Sequence, residues 1–147
     1  MKEKKLRNIF VTGAISADTI AESIRKHHTK TDIGAHSIFL GQVRADKIGD
    51  AEVTGITYTA YEELALEKMY EIREAVFSKY PLTCMHVHHS LGLVAAGEIC
   101  LFVFTSSGHR KAAMEACDEL VERIKAELPI WGKEILTDES HQWKENK

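Results

Sequence analysis

Apolar residues recur along the chain in two rhythms, and each change of rhythm marks an element. Arg7–Gly13 (RNIFVTG) holds a short apolar run closed by a glycine and predicts a strand. Ser16 then offers an N-cap, Asp18 stands in the first turn, and Ile20 and Ile24 fall at i, i+4; together they predict a helix over about residues 17–27. Gly34–Arg44 (GAHSIFLGQVR) reads as a second strand, and the polar ADKIGDAE after it as a loop. Glu52–Tyr61 is β-rich, with Ile56, Tyr58 and Ala60 on one face. From Glu62 the period lengthens: Ala65, Met69, Ile72 and Val76 form a helical stripe that Pro81 stops. Leu82–Ser90 and Glu98–Thr105 return to strand character, the second apolar almost throughout and therefore central. Residues 109–127 form the clearest helix, with Ala113, Cys117, Leu120, Val121, Ile124 and Leu128 on one stripe and Pro129 at its end. A short strand or turn and an exposed end, residues 136–147, complete the chain. The order is β-α-β-β-α-β-β-α-β, an α+β fold with helices on a largely antiparallel sheet. Its first six elements also match the split βαβ order of ferredoxin-like domains.

Length and charge narrow the reading. A chain of 147 residues fits one domain, residues 1–147, with a core of its own. A net charge of −3 disfavours a nucleic-acid binder, which needs a basic excess, but leaves room for a local basic pocket. Cys84, Cys100 and Cys117 are odd in number, widely spaced and without a CxxC, so no disulfide framework is expected and a reducing compartment is. The basic N-terminus precedes no signal-type apolar stretch, and no run is long enough to span a membrane. These features predict a soluble cytoplasmic protein.

Several groups could carry chemistry. Cys84, His86 and His88 alternate onto one strand face, but no fourth zinc ligand accompanies them, so no metal is expected; a zinc hydrolase built on them is the least favoured reading. In SSGHRKAA, Ser106–Ala113, an apolar strand runs into a helix N-terminus carrying Ser106, Ser107, His109 and Arg110. That is either an anion cradle or a helix capped by Ser107 with two solvated bases. Lys125 borders the stripe of the last helix; position alone favours a snorkelling side chain over an acid or base at a pocket rim. Arg44 ends a strand at the mouth of the polar loop, and Trp131 and Lys133 lie in PIWGKE.

Taken in order, IFLGQVR and Gly49, ITYTAYEELALEK, HHSLGLVAAGE, TSSGHRKAA, and IKAELPIWGKE followed by Trp143 resemble one family, the large catalytic subunit of molybdopterin synthase. The resemblance spans about residues 34–143. It implies an α/β hammerhead-type fold, a homodimer, and a heterotetramer with two copies of a small ubiquitin-like sulfur carrier. The carrier's C-terminal Gly-Gly thiocarboxylate would enter the large subunit's pocket. The implied reaction transfers two sulfurs in succession to cyclic pyranopterin monophosphate (precursor Z), forming the dithiolene of molybdopterin without metal or organic cofactor. The site residues it implies are Lys125 as principal catalytic group and Arg44, His109 and Arg110 as anion binders. The bland alternative is a non-catalytic ferredoxin-like module that binds a small molecule.

Two departures stand out. The lysine expected directly after Trp131 is replaced by Gly132, and the usual His-Arg before the apolar strand is His89-Ser90. For the first, Lys133 is expected to supply the second catalytic ammonium, with Gly132 turning the chain through positive φ to aim it.

Overall fold

The computed structural model describes residues 6–138 and 140–144. The elements run β1 (Phe10–Thr12), α1 (Ala17–Arg25), β2 (Ala35–Gln42), β3 (Lys47–Ile48), β4 (Ala51–Ala60), α2 (Glu62–Lys79), β5 (Leu82–Ala95), β6 (Ile99–Ser107), α3 (Arg110–Glu127), β7 (Ile130–Leu136) and β8 (His141–Trp143). The strands line up as β2-β6-β5-β4-β7-β8, with β1 parallel to β5 and β3 paired with β4; every other pairing is antiparallel. The expected α+β class with a largely antiparallel sheet is what forms.

The helices form for the reasons their sequences give. The Ser16 hydroxyl accepts from the Thr19 N–H at 3.2 Å and caps α1. The α1 helix stops at Arg25, two residues short of the expected end, and continues as turns through His27 and His28. On α2 the buried residues are Ala65, Met69, Ile72 and Val76, the stripe read from the sequence. Both α2 and α3 stop just before a proline, at Tyr80 and Leu128, each extended as the residue before proline prefers.

Two cores flank the sheet. The larger sets Met69, Ile72, Val76, Leu120, Val121 and Ile124 of α2 and α3 against Met85, Val87, Leu101 and Val103 of the central strands. The smaller sets Ile15, with Ile20 and Ile24 of α1, against Phe102 and Phe104. β6 is covered on both faces, as its continuous apolar run requires.

Three details differ from expectation. The polar loop after β2 folds into a hairpin, β3 and β4 joined at Gly49 (φ +62°) and Asp50. β5 runs past Ser90 to Ala95: it pairs with β6 up to His89, bends where Gly92 adopts φ +82°, and pairs with β4 from Gly92 onward. The tail does not simply trail off. His141–Trp143 pair with β7 as an exposed edge strand, while residues 139 and 145–147 lie outside the described residues.

Candidate active site

The C-terminal ends of α3 and β2 converge with β7 and β8 around a groove of about 760 Å³, which deepens into an inner pocket of about 120 Å³. Gly41, Gln42, Lys125 and Lys144 line both parts. Lys125 reaches the groove from the last turn of α3, where a cation is favoured by the helix dipole. Arg44 stands at the mouth, its guanidinium 3.1 Å from the Asp46 carboxylate. That pair is exposed and therefore weak, so an incoming anion can compete for the guanidinium. Trp131 and Trp143, half-exposed or more, flank the opening.

The floor is polar, and two of its groups, His89 and Tyr58, are biased toward their neutral forms. His89 is buried, with Nδ1 2.8 Å from the Ser90 carbonyl and its ring edge-on to Tyr58. Burial, reinforced by the positive charge of Lys125, holds the His89 imidazole below its ordinary value, against the opposing hydrogen bond to Ser90. Burial, followed by contact with Cys100, pushes the Tyr58 phenol upward, so it stays protonated. Glu134 is buried on the same wall and accepts from Gln142 Nε2 at 3.3 Å. Where the usual arginine would follow His89, the Ser90 hydroxyl is buried and has no partner among the described residues.

Gly132 does not turn the chain. It sits in the regular part of β7, paired with Tyr58, and is not among the positive-φ glycines. Glycine is needed there for space: a Cβ would lie 2.8 Å from Ile56 Cγ2 and 3.2 Å from Tyr58 Cε1. Lys133 keeps the strand alternation and so points to the opposite face from Gly132 and Glu134; it is not among the groove residues. Besides Lys125, Lys47 and Lys144 line the groove, and Lys144, which sequence reasoning missed, also lines the inner pocket. Lys133 pairs with Trp143, so Lys144 falls opposite Gly132, and its N–H donates to the Gly132 carbonyl at 2.8 Å. Residues opposite one another share a face.

His109 and Arg110 lie elsewhere, beside Lys111 and Met114 in a shallow depression at the start of α3. Fifteen residue steps along α3 separate Arg110 from Lys125, about 22 Å at 1.5 Å per step. Within one chain, therefore, Arg44, His109 and Arg110 do not form a common anion pocket. Ser106 and Ser107 are buried and already engaged: Ser106 Oγ is 2.7 Å from His36 Nδ1, and Ser107 Oγ donates to the Pro81 carbonyl. Neither is a spare anion donor, and the N-cap is His109 without a side-chain capping bond. On β5 the histidines part company. His88 stacks on Phe102, whereas Cys84 and His86 meet His27 from the end of α1.

The sequence model of the family described as MoaE protein matches residues 11–127. The chain belongs to the MoaE family. A relative named molybdopterin synthase catalytic subunit, from Pyrococcus abyssi, is 34% identical over 115 residues, 78% of this chain and 76% of that one. A crystal structure of molybdopterin synthase from Staphylococcus aureus is 30% identical, with a TM-score of 0.82 over 99% of this chain and 100% of the other. A second solved structure of the same fold, in a complex of subunits 1 and 2 of the molybdopterin-converting factor from Helicobacter pylori, has a TM-score of 0.78 at 20% identity, covering 94% of this chain and 90% of that one.

Proposed function

We propose that the groove at the C-terminal end of α3 is where this MoaE-family chain, acting as the catalytic side of a molybdopterin synthase, transfers sulfur to a cyclic pterin phosphate. The observation that carries this reading is the convergence of Lys125, Lys144 and Arg44 on one groove. The substrate phosphate and a thiocarboxylate are both anions. Holding them together requires fixed positive charge and donors in a partly dehydrated site. Arg44 offers a fork suited to phosphate or carboxylate. Lys125, over the inner pocket, acts as general acid and base at the sulfur-accepting carbons. Lys144 supplies the second ammonium from β8, on the face that it shares with Gly132.

The sulfur donor is the thiocarboxylate tail of a small ubiquitin-like carrier. That tail enters the groove lined by Gly41, Gln42, Lys125 and Lys144. The Helicobacter pylori complex is a precedent for such a partner in a protein of the same fold. Three buried free thiols suit a reducing compartment, and the proposed location is the cytoplasm. No helix among the described residues is long and apolar enough to cross a membrane.

Reconstitution with thiocarboxylated carrier and the cyclic pterin phosphate tests the assignment. Lys125→Ala should lower the rate of dithiolene formation by about 10²–10⁴-fold while still binding the carrier. Lys144→Ala should lose activity as well, and Lys133→Ala should keep it. Product formation by Lys125→Ala within a few-fold of the unaltered chain would make Lys125 a bystander. Activity lost with Lys133 and kept without Lys144 would return the second role to Lys133.

A further inference from the structure

We propose that the sheet face covered by α1 carries a site for a zinc-type divalent cation, formed by His27, Cys84 and His86. Cys84 and His86 are two apart on β5 and share that face; His27 reaches them from the turn that ends α1. The ligand atoms of the three residues lie within 4.8 Å of one another. His27 Nε2 is 3.1 Å from His86 Nε2. A tetrahedral zinc with bonds of about 2.0–2.1 Å spaces two ligating nitrogens roughly 3.3 Å apart, so the imidazoles already stand near ligand separation.

The hydrogen bonds set the orientation. His27 Nδ1 is 2.6 Å from the Ser23 carbonyl, which can only accept, so Nδ1 carries the proton and the Nε2 lone pair faces the cluster. A backbone carbonyl behind the far nitrogen is the usual support of a metal-binding histidine. Without metal, His86 meets that lone pair with an Nε2–H. Moving this proton to its own Nδ1 turns His86 into the second nitrogen ligand. Cys84 becomes a ligand by losing its thiol proton to solvent. The Lys30 ammonium, 2.8 Å from Cys84 Sγ, occupies the place of positive charge and swings into water when the cation arrives. The fourth position goes to water or to His36, whose ring centroid is 6.0 Å from that of His27.

One thiolate and two imidazoles suit zinc and discriminate against magnesium and calcium, which take oxygen ligands. The site lies across the sheet from the core packed by Met85, Val87 and α3, and it does not depend on the sulfur-transfer reading. Its effect would be to pin the end of α1 to β5.

The test is a titration of the full-length chain, stripped with a chelator, with Co²⁺. The expected result is one equivalent bound, a thiolate-to-cobalt charge-transfer band, the visible bands of tetrahedral cobalt, and displacement by Zn²⁺. Cys84→Ser should abolish the charge-transfer band, and His27→Gln or His86→Gln should weaken binding by roughly tenfold or more. Lys30→Met should tighten it, and His88→Gln should leave it unchanged. If a variant fails to fold, the unaltered chain still decides: absence of the charge-transfer band there overturns the site. A band that survives in Cys84→Ser places the cation on another thiol and overturns it equally.

Discussion

His89 shows how a single buried group couples the groove to pH. The imidazole is 8% exposed, and its downward shift means that the folded chain resists protonation there. In the unfolded chain the group titrates near its ordinary value of 6.5. As pH falls through that value the unfolded state takes up the proton first, so stability declines from there down to the folded value and is fully present above 6.5. The urea midpoint should therefore drop on acidification, and His89→Gln should make that drop shallower. An identical slope in the variant would show that His89 contributes nothing to it. In the folded chain His89 charges only at lower pH, around its depressed value, where it adds a further cation beside Lys125; activity should fall there. The identity of His89 was plain from the sequence, but its burial against Tyr58 was not. Gly132 has the same lesson with a sharper edge. A missing lysine was visible in PIWGKE, yet its reason is lateral crowding by Ile56 and Tyr58, which belong to another strand. Lys144 could have been found only by reading HQWK as a strand folding back on β7, since that pairing alone sets it opposite Gly132.

At the scale of elements, periodicity carried the helices and the central strand because each buries one regular face. What it could not carry was the partner switch in β5, where one strand serves β6 and β4 on either side of Gly92. Nor did the candidate residues reveal that α3 separates its two functional ends, although its length alone implies it. The start of α3 is fixed by a backbone crossing: Gly34, just before β2, passes so close to Gly108 that a Cβ on Gly34 would lie 2.1 Å from the Gly108 carbonyl oxygen. The Gly34 N–H also donates to the Ser107 carbonyl at 2.9 Å. Backbone on both sides cannot yield as a flexible side chain could. Gly34→Ala should therefore destabilise the fold by about 1–3 kcal/mol or more, read as a lower urea midpoint. An unshifted midpoint would mean that the crossing is looser than its geometry. The same change should disturb His109 and Arg110 while leaving Lys125 in place, because the two lie at opposite ends of the helix.

At the scale of the molecule, the separated basic groups and the open edge of β2 point to the same assembly. Among the described residues β2 pairs only with β6, and along its eight residues Ile38 and Leu40 stay exposed. A long apolar edge of this kind invites pairing with another chain. We propose that a second copy covers it through a two-fold axis, the commonest closed symmetry. Antiparallel pairing of β2 with its copy sets the start of one strand beside the end of the other. Gly34, with Gly108 and His109 close by, would then lie beside the partner copy's Gln42–Arg44 segment and its groove. Each groove would thus combine Arg44, Lys125 and Lys144 of one chain with His109 and Arg110 of the other. A mixing experiment decides this. Lys125→Ala and Arg110→Ala should each be nearly inactive alone. Unfolded, combined in equal amounts and refolded together, they should regain about a quarter of normal activity. Random pairing makes half of the dimers mixed, and each mixed dimer has one of its two grooves intact. If both variants act within the same chain, every groove in the mixture lacks one of them and no activity returns. If Arg110 has no part in the site, Arg110→Ala is active on its own.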